Sequence, residues 1–290
     1  MSKRVISKSL TRIQQLPFLA LLLCSFCSLS DESSPSKKLK LLSNPVPFFS
    51  YTDKSGEMTG YSIDLSKNII KNAGFDVEVE GLPWARVLKR AESVEYSVIS
   101  GIVRTPEREN AYYWITPISS NPVAFYTLKE DHIFIESIKE LDALGNIGVL
   151  RNDYRHRILT DENAANIMAF NNWPVAIHSL LKHRTKSLFF SDMGLVLTCL
   201  DANINCTSIE RIHTYRNAVS YIAVRKTETL KPVYEALKNA AEQFKQSNEF
   251  NAMVASYLNQ SDDTAKLMTV ENGIVSVKSN TTHHASNEGQ

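Results

Sequence analysis

The eleven residues Ile99-Ser-Gly-Ile-Val-Arg-Thr-Pro-Glu-Arg-Glu109 hold the clearest chemistry in the chain. They follow an apolar, strand-like run and precede the aromatic patch Tyr112-Tyr113-Trp114. Gly101 lets a backbone come close to another group. Thr105-Pro106 reads as a helix start, with Thr as the N-cap and Pro fixing the first helical φ. Arg108 then falls one turn in, where a guanidinium forks onto a carboxylate that backbone N–H groups also reach. The pattern suits gripping a small anion.

Signatures of catalysis are missing from the sequence. It holds no Gly-x-Ser-x-Gly elbow, no phosphate-cradling glycine loop and no His-Glu-x-x-His zinc helix. His156, His178, His183 and His213 are scattered, which suggests neither a metal cluster nor a triad. The expectation is therefore a chain that is not an enzyme, with no catalytic residue, metal or cofactor. A net charge of +1 over 290 residues argues against a nucleic-acid partner, since phosphate binding calls for a marked basic excess.

The N-terminus points to export. Lys3, Arg4, Lys8 and Arg12 precede the apolar run Leu16 to Cys27, and Ser28-Leu-Ser30 puts small residues before Asp31. These are the parts of a cleavable signal peptide over residues 1–30, and the run is short for a membrane span. Leu23 or Phe26 directly before a cysteine suits lipoprotein processing poorly, so lipid anchoring ranks second. Removal of the signal leaves Cys199 and Cys206. In an oxidising compartment this pair either closes a small disulfide loop or stays as two buried thiols.

The elements that must position Arg108 follow a βαβ rhythm. After a polar leader (31–38), Leu39 to Leu42 opens a strand, Asn44 to Tyr51 is a Pro-stiffened loop, and a helical pattern from Ser62 stops near Gly74. Phe75, Val77 and Val79 alternate as a strand, Trp84, Val87, Leu88 and Ala91 fall at helical spacing, and Tyr96 to Ser100 is a strand. A second unit repeats the rhythm from Ile147 to Asp192, and Val219 to Val224 is a strand before two amphipathic helices. Residues 261–290 are polar and read as a disordered tail. This order implies parallel sheets with helices on their faces.

The succession Pro47 to Tyr51, Gly56 to Leu65, Leu82 to Arg86 and Gly101 to Arg108, with Ile147 to Tyr154 and Tyr221 to Lys226 further on, resembles family 3 of the bacterial extracellular solute-binding proteins. The resemblance implies an α/β, two-lobed periplasmic-binding-protein fold (type II), each lobe a mostly parallel sheet flanked by helices. Two crossing hinge strands, near Phe125 to Lys129 and His213 to Arg216, join lobe 1 (31–125) to lobe 2 (126–215), and 216–260 returns to lobe 1. It further implies a periplasmic monomer that captures a small zwitterion or carboxylate, above all a polar amino acid, and delivers it to an ABC permease in the inner membrane.

The same resemblance distributes the ligand contacts. Arg108 takes the family's carboxylate-binding position, supported by the backbones of Gly101 and Val103. Asp192 falls where the family places the acid for the α-ammonium group, on the opposite lobe. Trp84 is the aromatic that packs on the ligand, Phe49 and Tyr51 (with Phe48) form the facing wall, and Asp153 and Tyr154 add backbone contacts. Asn152 stands where Gly is common, and Arg86 is either a cleft residue or a surface ion pair. The alternatives are a cyclohexadienyl dehydratase-like enzyme, which needs a general acid in the cleft, and a ligand-sensing partner of a separate membrane receptor.

Overall fold

A computed structural model describes residues 37–259 and 263–278; the expected signal peptide, with Cys24 and Cys27, lies outside the described residues. Lobe 1 begins with β1 (Lys38–Ser43), the short hairpin β2 (Tyr51–Thr52) and β3 (Met58–Thr59), α1 (Tyr61–Asn72), β4 (Asp76–Gly81), α2 (Trp84–Ser93) and β5 (Ser97–Val103). The long strand β6 (Tyr112–Leu128) leads into lobe 2: β7 (Ile147–Leu150), α3 (Tyr154–Asp161), β8 (Ile167–Phe170), α4 (Trp173–Leu181), β9 (Ser187–Ser191) and α5 (Asp192–Asp201). An equally long β10 (Ile209–Arg225) returns the chain to α6 (Lys231–Lys245) and α7 (Asn248–Leu258). A short α8 (Asp263–Leu267) and the hairpin β11 (Met268–Glu271) and β12 (Ile274–Val277) follow.

Among the described residues the main sheet runs β4-β1-β5-β10-β6-β9-β7-β8, with β12 also on β6. β4, β1 and β5 of lobe 1 pair in parallel, as do β8, β7 and β9 of lobe 2, in keeping with the βαβ rhythm, and β6 pairs antiparallel with β10 along its length. Both faces of β1 are covered. Leu39 and Leu41 join the core under α1, α6 and α7, while Leu42 points the other way to Trp84, Val87 and Ala91 of α2. Lys38 and Lys40 alternate with Leu39 and Leu41, and Leu42 breaks the alternation because the second face is covered as well. In lobe 2, Phe125 stacks on Phe189 at 4.2 Å between ring centres, and Leu188 and Phe190 face the opposite layer under α4 and α5.

The crossover lies away from the expected residues. β5 pairs with β10 only at Ser220 to Val224, and β9 pairs with β6 only from Val123 onward. The neighbours therefore change at Ser120 to Pro122 on one strand and Asn217 to Val219 on the other. Phe125 is fully buried in the lobe 2 core, past the point where the neighbours change. In an antiparallel pair, moving the crossing toward the N-terminus of β6 moves it toward the C-terminus of β10.

The polar segment after 261, expected to be disordered, holds the β11–β12 hairpin. Met268 and Val275 are buried in the lobe 1 core, and Asn272-Gly273 turns the chain with both residues at positive φ, 51° and 73°. Asn-Gly between apolar runs is a strong two-residue hairpin signal; averaging over the polar flanks concealed it. Lys245 ties the turn down, its Nζ donating to the Pro117 carbonyl at 2.8 Å and the Gly273 carbonyl at 3.4 Å. Tyr61 donates to the same Gly273 carbonyl.

Cys199 and Cys206 form a disulfide with Cα atoms 6.2 Å apart, fastening the end of α5 to the loop before β10. Two predictions follow from this packing. Replacing both cysteines by Ala should lower unfolding stability by roughly 2 kcal/mol, because so short a loop removes little unfolded-state entropy; urea titration reads this directly. Burial brings the Lys245 pKa down to about 8, whereas an unfolded lysine keeps its proton to about pH 10. The native state then binds fewer protons between those values, so stability should rise from about pH 8 to about 9.5. Tyr61 and Tyr257, whose pKa values burial raises, oppose this only above about pH 10. Lys245→Met should flatten the rise.

Candidate functional site

A cavity of about 580 Å³ opens where the strands of the two lobes end, in the size range of small-molecule sites. Its lining includes Phe49, Tyr51, Trp84, Gly101, Val103 and Arg108 from lobe 1, and Asp153, Tyr154, Arg155 and Trp173 from lobe 2. Leu150 and Trp173 also pack into the cluster around Trp84, so the lobes meet at one side of the cavity.

Arg108 ends a single 3₁₀ turn, Pro106–Arg108, and not a longer helix. Thr105 has extended φ/ψ but makes no side-chain cap, so the helix-start motif yields only one turn. Before it, the ladder slips between Tyr221 and Ile222, leaving Gly101 outside the pairing as a bulge at φ 92°. An L side chain is strained at that φ, while the space around a Cβ there is open; backbone conformation, not crowding, calls for Gly. The Arg108 guanidinium donates to the Val103 carbonyl at 3.1 Å. It lies 5.8 Å from the Trp84 ring centre and 6.0 Å from that of Tyr154 on the other lobe. Burial pulls its pKa below the usual arginine value, opposed by Asp153, Tyr112, Tyr154 and Glu107. No carboxylate lies within ion-pair distance of it among the described residues.

Asp153 and Tyr154 both line the cavity, but the Asp153 carboxylate is committed. It caps α3 by accepting from the Arg155 N–H at 2.9 Å, and it accepts from the Arg155 guanidinium at 2.6 and 3.1 Å. Burial works against charge on Arg155, yet Asp153 and Tyr154 outweigh it and hold the pKa above the ordinary value. Faces of Trp173, Tyr154 and Phe190 enclose that guanidinium at 4.9, 5.1 and 5.4 Å. The Tyr154 phenol is pushed up to about 12 by its burial. Asn152 occupies the left-handed region at φ 57°, which Asn tolerates, so the turn survives without Gly.

Asp192 is not brought to Arg108. Ser191, Met193 and Gly194 line the cavity, whereas the Asp192 carboxylate accepts from the Tyr126 hydroxyl and from Arg211 at 2.7 Å. Ser191 caps α5, its side chain accepting from the Gly194 N–H. Phe48 is buried against Tyr61, 5.9 Å between ring centres, and leaves the wall to Phe49 and Tyr51. Arg86 is not among the lining residues. Sequence reasoning missed Arg155 and Trp173. The hint available was a cation two residues beyond Asp153, the spacing that lets a first-turn side chain reach back to the cap.

Residues 41–260 match the bacterial extracellular solute-binding proteins, family 3. The chain belongs to that family. Its relatives include the "Probable histidine-binding protein" of Neisseria gonorrhoeae, 22% identical over 78% of this chain and 84% of that protein. Among solved structures, a variant of ArgBP from T. maritima is similar at a TM-score of 0.64 with 15% identity, covering 77% of this chain and 96% of that one. A histidine kinase sensor domain with similarity to periplasmic binding proteins matches at a TM-score of 0.65 with 14% identity, covering 77% and 97%. These likenesses establish the two-lobed fold of this family 3 protein.

The surroundings of Asp192 generate a test of its role in the family 3 fold. Arg211→Met strands a partly buried carboxylate beside Tyr126, and should cost about 2–3 kcal/mol in urea unfolding. Asp192→Asn, which breaks the same pair from the other side, should cost a comparable amount.

Proposed function

We propose that this chain is a periplasmic solute-binding protein that captures a small carboxylate-bearing solute of the amino-acid class between its lobes and delivers it, as a monomer, to an ABC permease. The observation that carries the reading is Arg108. A guanidinium in a cavity wall without a carboxylate of its own is costly unless an anion arrives to pair with it, and a forked cation recognises a carboxylate through two parallel hydrogen bonds. Trp84 on one lobe and Tyr154 on the other flank the same guanidinium, so a ligand seated on it touches both lobes. Contacts available only when the lobes approach make the ligand favour the closed state.

The relatives' names support the class of solute, since histidine- and arginine-binding proteins stand among them. An eliminating enzyme needs a general acid in the cleft. Asp153 is held by Arg155 and Asp192 by Arg211 and Tyr126, so both carboxylates are already engaged by the protein, which favours capture over turnover.

Titration calorimetry with amino acids and small carboxylates against the purified protein tests the reading. Arg108→Ala should weaken the best ligand by about 2–4 kcal/mol, roughly thirty- to several-hundred-fold. Arg108→Lys should recover only part of that, because an ammonium cannot fork. Unchanged affinity in Arg108→Ala would refute the assignment.

A further inference from the structure

The acids and cations around the cavity are unequally matched, and the mismatch bears on which solute fits. Of the acids in the lining, Asp153 is engaged by three N–H groups of Arg155. Asp201 also lines the cavity but is exposed at the far end of α5, about 13 Å along the helix from Asp192. Behind the wall, Asp192 is taken by Arg211 and Tyr126. Glu107, beside Arg108 in sequence, is exposed, bonds to Thr105 and feels Arg216 and Arg157. The buried part of the cavity therefore contains one cation in excess, Arg108.

The indole N–H of Trp84 has no acceptor among the described residues, but the nitrogen is itself buried and offers nothing to a solute in the cavity. Asn121 spends its side-chain oxygen on the Met193 N–H, and the hydroxyls of Ser119 and Ser220 bond to each other at 2.7 Å.

From this we infer that the solute is a monoanion with an uncharged remainder: a carboxylate whose neighbouring substituent is a keto, hydroxyl or acylated amine group, and not a free ammonium. The inference rests on the reading that Arg108 holds the carboxylate, and refines it. A free ammonium in this cavity needs a carboxylate of its own. Taking Asp153 would strip Arg155 of its counter-ion while Trp173, Tyr154 and Phe190 still enclose it, and an uncompensated buried charge is strongly unfavourable. A keto, hydroxyl or acyl group instead calls for no counter-ion. The amino-acid carbon skeleton is kept; its cationic end is not.

Matched sets decide the question: L-phenylalanine, phenylpyruvate and N-acetyl-L-phenylalanine, with the corresponding leucine and glutamine sets, titrated calorimetrically into the full-length mature protein. In at least one set the members without an ammonium should bind tenfold or more tighter than the amino acid, and Arg108→Ala should abolish that binding. Asp192→Asn should leave the affinity within about threefold. Amino acids binding as tightly as their deaminated partners, or losing affinity in Asp192→Asn, would overturn the inference; sensitivity to Arg108→Ala would then leave the carboxylate reading intact. No binding by any member of the three sets would overturn both.

Discussion

One guanidinium in a narrow gap governs this molecule. Arg108 sits between the indole of one lobe and the phenol of the other, bonded to a backbone carbonyl and, among the described residues, facing no carboxylate at ion-pair distance. Aromatic faces attract a cation, but they do not neutralise it. The rest of the architecture makes that arrangement tolerable. A bulge at Gly101 and a single 3₁₀ turn set the arginine at the strand end, and two seventeen-residue strands fix the second lobe opposite it.

Lobe 2 answers with charges that are already paired. Asp153 and Arg155 lie two residues apart at the start of α3, so the carboxylate caps the helix and holds the guanidinium at once. Asp192 and Arg211 come from α5 and β10, with Tyr126 completing the contact from the neighbouring strand. Buried ion pairs of this kind contribute little net stability, yet breaking either half is expensive. Their main effect is to hold the wall in one arrangement, which suits a binding surface that must be ready before its solute arrives.

Much of this was legible in the chain and some was not. The βαβ rhythm located most elements of both lobes because parallel strands covered on two faces read as short apolar runs, and α1 ended near Gly74 as its C-terminal signal said. Arg108, Trp84, Tyr154, Phe49 and Tyr51 all reach the cavity because strand ends and the loops after them face it. Asp192 illustrates the limit. Its position at a strand end was readable, but the partners that claim it come from strands far away in sequence, and side-chain pairing across a sheet leaves no local pattern. The crossover was misplaced for a related reason: nothing in a seventeen-residue strand marks where its neighbours change. The hairpin at 268–277 was missed although Asn272-Gly273 announced it, because composition was weighed over too long a window.

That hairpin has a mechanical meaning. Val275 pairs with Ser119, one residue short of the stretch where β6 passes between lobes, and Met193 and Leu197 of α5 share its apolar cluster with Met268. A segment lying past the end of the family match at 260 thus braces the hinge from behind, touching the lobe 2 helix that also walls the cavity. Trimming the chain to the family's extent would unload that brace, exposing apolar core and leaving the Lys245 ammonium one acceptor short. Residues beyond the family match thus pack against the strand that connects the lobes.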